Sequence, residues 1–366
     1  FNRKAWAFFS ELAANPSIKK RVHTTPPHQP KWLAVILFPI ALLTCFVTAP
    51  RETWRYLKSG WSLFRWDVWK HFYLDAPLLL LRPDILHFEF GSLAVGRTFL
   101  KTIFNTKMSA SFRGYDLNFV GLDKPDHYHP LWQGLDGCHL LSNHLWNRAL
   151  ERGCPKDMNH HIIPPAIDLD TFHDQKATQS RQVGTQNQPL RILSVGRLEW
   201  KKGYEHALAA VRLLLDQNIF FEYHIIGSGQ YVAALHYARY QLGLDNYVRF
   251  LGSQSHERVI ECLKWADVFL HPSLSEGFCN AVLEAQAIGL PVVCSDAGGL
   301  PENIQDGVTG FIVPRRNPKA MAEKLAFLAN DGQLRKQMGA AGRLRVETHF
   351  RLEQQLDAFE DFYAQL

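Results

Sequence analysis

Ser275-Glu276-Gly277-Phe278-Cys279-Asn280-Ala281-Val282-Leu283-Glu284-Ala285 decides how this chain reads. An apolar run over 268–271 precedes it and reads as a strand, and a helical pattern over 278–288 follows. A helix start presents unpaired backbone N–H groups and the positive end of a dipole, which favours an anionic ligand such as a diphosphate. Glu276 and Glu284 would repel that phosphate unless they face hydroxyls. A nucleotide-sugar carries both kinds of group. Ser275 is expected to cap the helix, Gly277 to allow close backbone approach, and Glu276 to stand exposed at the helix mouth. Glu284, inside the helix, would hold another part of the same ligand. A plain surface acid at Glu284 and a dipole-favoured acid at Glu276 are the competing readings.

Working outward, short apolar runs alternate with helical stretches over the carboxyl-terminal half. Strands are predicted at 191–195, 220–226, 247–251, 268–271, 291–294 and 310–313, with helices at 204–216, 230–242, 256–265, 278–288 and 318–330. This alternation makes βαβ units and a parallel, doubly wound sheet. Such sheets bind ligands beyond the carboxyl ends of their strands. Two more loops fall there. Gly196-Arg197-Leu198-Glu199-Trp200-Lys201-Lys202-Gly203 supplies Arg197 for bidentate contact and Lys202 as a mobile charge, a pair suited to a diphosphate. A solvated basic loop would look the same. Gly227-Ser228-Gly229 follows the next strand, and its glycines let the chain pass close to a nucleotide or its phosphates. Alone, a G-x-G is a weak signal.

The amino-terminal half alternates in the same way, with strands at 84–88, 108–112, 137–141 and 160–163 and helices at 92–104 and 143–151. Four strands make a thin sheet, and no strand, glycine-rich turn and helix open it. The expectation is an incomplete domain lacking about two βα units, ~60 residues. A polar stretch, 174–189, reads as an interdomain linker. Residues 32–49 (WLAVILFPIALLTCFVTA) are uncharged and apolar, with basic residues on both sides and Trp54, Trp61, Trp66 and Trp69 following. Three readings stand: a patch over 32–70 lying in a lipid headgroup region, a helix buried against the sheet, or a span shortened by Pro39.

Bulk properties narrow the class. The 366 residues suit two domains. The formal charge of +5 is concentrated in residues 1–75, which hold eleven Lys/Arg against four Asp/Glu, so a local basic surface is expected and a nucleic-acid partner is not. Cys45, Cys138, Cys154, Cys262, Cys279 and Cys294 are scattered and read as buried thiols in a reducing compartment. The pairs His127/His129 and His160/His161 lack matching ligand spacing, so no metal site is expected.

Residues 191–345 resemble the carboxyl-terminal domain of retaining GT-B glycosyltransferases of family GT4. The matching pieces are G-R-L-x-x-x-K-G (196–203), the GSG turn, R-F-L-G (249–252), and the E-x7-E frame of Glu276 and Glu284. A-G-G-L-P-E (297–302) and D-G-V-T-G (306–310) extend it. Upstream, P-D-I-L-H (83–87), F-R-G-Y-D (112–116) and P-A-I-D-L-D-T-F (165–172) are similar to landmarks of colanic-acid and exopolysaccharide transferases.

The resemblance implies a GT-B fold: an acceptor-side domain over 1–173 and a nucleotide-sugar domain over 190–345, both Rossmann-like, facing a cleft. A terminal helix over 346–366 would return to the first domain. It implies a catalytic set of Glu276, Arg197 and Lys202, with Gly196, Gly227, Gly229, Gly277, Phe278, Cys279 and Glu284 around the donor. Glu276 would meet the transferred sugar, the backbone N–H groups of Phe278 and Cys279 its phosphate, and Glu284 the ribose.

Arg113, Asp116 and His87 are the acceptor-side candidates. Family members commonly carry histidine at the position of Arg113; an arginine cannot serve as a base near neutrality, so an electrostatic role is expected for it. The implied reaction is metal-independent transfer, with retention, from a nucleotide-diphosphate sugar to a glycan or lipid-linked acceptor. No cofactor is implied. The expected place is the cytoplasm, at the inner membrane face. The alternative is a truncated homologue that binds nucleotide-sugar or a membrane partner without turnover; a sugar-nucleotide epimerase lacks the E-x7-E frame.

Overall fold

The structure is a computed structural model and describes residues 31–172 and 182–366. The first half of the expected linker over 174–189, as far as residue 181, therefore lies outside the described residues. By internal contacts the chain divides into Phe1–His87 with Gly96–Ser109, and Phe88–Val95 with Ala110–Leu366. This division does not follow the expected boundary near residue 173.

Two sheets organise the chain. The smaller has the order β1-β2-β3-β4, with β1 Ile85–Phe88, β2 Lys107–Phe112, β3 Gly137–Leu140 and β4 His160–Ile162. The larger contains β5 Leu190–Val195, β6 Phe221–Ile226, β7 Val248–Gly252, β8 Val268–His271, β9 Val292–Ser295 and β10 Gly310–Val313, in the order β10-β9-β8-β5-β6-β7. All its pairings are parallel. Winding runs outward from β5 through β6 to β7, then restarts at β8 on the other side. The switch point thus lies between β5 and β8, where Ile192 pairs with Val268 and Leu193 with Phe269. Loops leaving these two strands must adjoin, and they are the loops carrying Lys202 and Glu276.

Helices cover both faces of this sheet, so its strands are apolar almost throughout. Side chains alternate: Ile192 packs with Tyr204, Leu208 and Leu325 on one side, Leu193 with Leu263, Phe269 and Leu283 on the other. Phe269 is fully buried, and Phe269→Ala would cost about 3–5 kcal/mol.

Most predicted elements form within one or two residues of their expected ends. The expected helix over 92–104 is instead two, Gly91–Ala94 and Phe99–Phe104, separated by Gly96 at φ +76°. A left-handed residue cannot continue an α-helix, and glycine adopts that conformation at least cost. The terminal helix Leu352–Ala364 lies against the strands β3 and β4: Phe359 meets His139 edge-on at 4.8 Å and buried Phe362 meets His161 at 5.1 Å. Leu352 and Leu356 stay exposed, so only one face packs.

The amino-terminal unit holds the helices Lys31–Thr48, Pro50–Phe64 and Val68–Leu81. Phe38 packs on Trp69 and Phe72 at 5.8 and 6.2 Å, and buried Tyr56 donates to Asp75 at 2.8 Å. Along the other face of the first helix, Trp32, Val35, Ile36, Ile40, Leu43 and Val47 are exposed at helical spacing. The buried-helix reading holds for one face only. No helix among the described residues is long and apolar enough to cross a membrane.

Candidate active site

β8 ends at His271, and the chain then makes a turn before the helix Asn280–Ala287. Glu276 sits in this turn. The expectation of an exposed carboxylate is corrected: its side chain is only 11% accessible. Burying a carboxylate requires compensation, and three donors supply it. Lys202 from the β5 loop, His271 Nε2 at 2.9 Å and Ser273 Oγ at 2.8 Å all reach Oε1. Among the described residues none donates to Oε2.

Charges in this cage shift strongly. Burial alone would raise the Glu276 pKa, but the His271 hydrogen bond and the Lys202 charge outweigh it and hold the group at about 2. Burial would neutralise His271; the Cys279 sulfur and the Glu276 carboxylate overcome that and lift it to about 9. Lys202 is likewise raised, burial being outweighed by Glu276. The Lys202 ammonium and the His271 ring thus both lie against the one Glu276 carboxylate, with the Cys279 sulfur 3.4 Å from His271 Nε2.

Side chains from the loop after β3 and from the short helix Gly114–Phe119 contact this turn. Ser142 Oγ donates to the Gly277 carbonyl at 2.8 Å, and Asn118 Nδ2 reaches Ser275 Oγ at 3.4 Å. A Cβ on Gly277 would lie 2.9 Å from the Gly114 nitrogen, so the two glycine backbones touch and neither tolerates a side chain. Glu302 holds the same junction, accepting from Asn143 N, Asn143 Nδ2 and His144 N at 2.8–2.9 Å at the start of the helix Asn143–Glu151. Ser275 does not cap the downstream helix as expected. That helix begins after Cys279, whose backbone is clamped from both sides by Asn303: Cys279 N–H donates to Oδ1 at 3.1 Å, and Nδ2 donates to Cys279 O at 2.9 Å. The expected donation from Cys279 N–H to phosphate is corrected accordingly, since that proton is already engaged.

Of the remaining donor-side residues, Gly196 adjoins Lys202, whose Cε would lie 3.8 Å from a Cβ there. Arg197 leaves the same loop as Lys202 but is 68% accessible and pairs with Glu199 at 2.9 Å, away from Glu276. A Cβ on Gly196 would meet buried Tyr204 Oη at 2.9 Å, and Gly227, at φ +145°, passes so close to Gly196 O that a Cβ would fall 1.9 Å from it. A Cβ on Gly229 would lie 2.1 Å from Leu198 O. Phe278 packs on Phe350 at 5.8 Å. Glu284 is in the helix and its pKa is raised by burial, with His256 opposing.

The acceptor-side candidates do not converge in the same manner. Asp116 is a correction: it is buried, and its two oxygens accept from Arg113 N at 3.0 Å and Ser92 N at 2.9 Å, which makes it a tie between loops. Arg113 pairs with Glu89 at 2.7 Å and lies over Phe90. His87, on β1, contacts Ser109 Oγ at 2.8 Å. Sequence reasoning missed His271, Ser273, Asn303 and Glu302. His271 was visible as the last residue of a buried strand, where a polar side chain has no place unless it faces the cleft.

His271, Glu276 and Cys279 place one potential metal ligand each within 4.8 Å of one another. The Lys202 ammonium on Glu276 Oε1 places a positive charge inside this group, which disfavours a metal cation there.

Two parallel-sheet α/β domains, with loops from β5 and β8 meeting at the switch point of the larger sheet, define the GT-B class. Solved structures share this fold. Anabaena HepE in complex with UDP and glucose matches with a TM-score of 0.67 and 17% identity over 77% of this chain and 78% of its own. Sucrose-phosphate synthase from Thermosynechococcus elongatus matches at 0.68 and 22%, over 80% and 75%. The family description "Glycosyl transferases group 1" fits residues 175–345. The amylovoran biosynthesis glycosyltransferase AmsK of Erwinia amylovora is 31% identical over 73% of this chain. WcaL of Escherichia coli K12, named for colanic acid biosynthesis, is 31% identical over 67%. Residues 175–345 thus match the group 1 glycosyl transferase domain, and the chain is similar to these two polysaccharide-biosynthesis glycosyltransferases. The matches span 66% of AmsK and 61% of WcaL, less than two thirds of either relative.

Proposed function

We propose that this chain transfers a sugar from a nucleotide-diphosphate sugar to a glycan or lipid-linked acceptor in polysaccharide assembly. The observation that carries this reading is the contact of Lys202 from the β5 loop with Glu276 from the β8 loop, at the switch point of a parallel sheet. A diphosphate bound there would meet the cations of the β5 loop. Lys202, with Arg197 swinging from Glu199, would stabilise the departing diphosphate electrostatically, in the place a metal ion fills elsewhere. Glu276 Oε2 would accept a hydroxyl of the transferred sugar and Glu284 the ribose hydroxyls, while Phe278 N–H would serve the phosphate side. The bond from the anomeric carbon to the phosphate oxygen breaks, the acceptor oxygen takes its place on the same face, and its proton leaves on the diphosphate. Retention and metal independence rest on the family resemblance.

A panel of UDP- and GDP-sugars assayed for hydrolysis and transfer in the presence of EDTA tests this reading, with the product anomer read by proton NMR. Loss of all turnover in EDTA, or an inverted product, would overturn the corresponding part. The exposed face of the helix Lys31–Thr48, with the neighbouring tryptophans and basic residues, supports peripheral contact with a membrane surface on the cytoplasmic side. Ile40→Asp with Leu43→Asp should abolish flotation with vesicles of phosphatidylethanolamine and phosphatidylglycerol. Flotation equal to the parent chain would sink that contact.

A further inference from the structure

We infer that Tyr115, Phe119 and Trp200 form an acceptor subsite that stacks against a pyranose ring, a reading that rests on the proposed transferase function. The three residues come from different parts of the chain and meet beside Glu276. Tyr115 and Phe119 lie on the short helix Gly114–Phe119, whose first residue touches Gly277 through the backbone. Trp200 lies in the β5 loop, two positions before Lys202. Tyr115 stacks beside Phe119 at 6.3 Å with the rings 28° apart, and Trp200 meets Phe119 edge-on at 6.1 Å. Lys201 Nζ sits 5.0 Å from the Phe119 ring, tying the loop to the helix.

Phe119 is thus the anchor, while Tyr115 and Trp200 stay 58% and 53% exposed. Single exposed aromatics are ordinary. Here two of them flank a shared anchor at the edge of the reactive carboxylate, and neither is needed to close a core. The C–H bonds on one face of a pyranose are polarised by the ring and hydroxyl oxygens, so they sit favourably over the negative face of an aromatic ring.

The test uses the full chain on an array of bacterial oligosaccharides ending in glucose, galactose, fucose, N-acetylglucosamine or glucuronate. UDP and GDP affinities are measured in parallel by calorimetry. Retention of at least one oligosaccharide is expected, weakened about tenfold or more in Trp200→Ala and in Tyr115→Ala but kept in Trp200→Phe and Tyr115→Phe. Nucleotide affinity should stay within about twofold in all four variants. Undiminished glycan retention by the alanine variants overturns the subsite, as does an absence of any retained glycan in the parent chain. A parallel loss of nucleotide affinity would make the platform a seat for the donor base instead. Hydrolysis of nucleotide-sugars by the parent chain is scored separately. Its absence alongside intact glycan retention would sink the transferase reading and leave the stacking surface standing.

Discussion

Glu276 and Glu284 are one residue type eight positions apart, yet their surroundings pull them in opposite directions. Glu276 is encircled by Lys202, His271 and Ser273 and is held ionised far into acid. Glu284 gains burial without a comparable set of donors, and its pKa rises. Burial penalises both carboxylates; only the company differs. The first therefore belongs to a charged cage, while the second meets burial with only His256 opposing it.

The most severe way to break this contrast is to remove the charge at its centre. Glu276→Gln should lower kcat by about 10³-fold while the fold survives, because an amide keeps a hydrogen-bond acceptor. A variant with parental kcat would end the catalytic assignment. Glu276→Ala is a poorer probe, since two buried cations lose their partner and unfolding should become easier by about 3–5 kcal/mol. Lys202→Ala should weaken UDP or GDP binding by about 10–100-fold in calorimetry, the range of a charge-assisted hydrogen bond. Unchanged affinity would detach the loop from the diphosphate. At the other end of the frame, Glu284→Gln should cost only about 2–10-fold in nucleotide affinity, with kcat nearly untouched. A loss as large as that of Glu276→Gln would erase the contrast.

The smallest effect is on stability with pH. Glu276 is depressed from 4.5 to about 2, so its contribution is present above pH 4.5 and is lost as pH falls through 2. His271 is raised from 6.5 to about 9, so its contribution is whole below pH 6.5 and is lost as pH rises through 9. Thermal unfolding should therefore show a plateau between pH 4.5 and 6.5 and decline on both sides. His271→Asn should flatten the alkaline decline and leave most of the acid one. An unchanged alkaline limb in that variant would place the titration elsewhere.

Much of this was legible in the chain because the relevant physics is local. Apolar runs of four to six residues between helical stretches announce a parallel sheet, and glycines at 196, 227 and 277 mark places where backbones must approach. The break at Gly96 was less legible, since neighbouring apolar residues continue a helical pattern across it. Asp116 illustrates a different limit. The family resemblance implies a ligand contact for it, yet its partners are two amides, one of them at Ser92, 24 positions away. Arg197 looked equivalent to Lys202 on spacing alone. Folding turns one inward to Glu276 and leaves the other on Glu199.

The sequence by itself determined the alternating α/β architecture, the loops at strand ends and the identity of the two carboxylates, because each follows from periodicity and residue chemistry within a few positions. Tertiary structure alone decided that β5 and β8 are neighbours, and so that Lys202 reaches Glu276 across 74 positions. It also decided that His271 and Ser273 complete the cage and that Gly114 meets Gly277. Strand order is a global choice among packings, and pKa values depend on who is brought near. Neither is written in the spacing of residues along the chain.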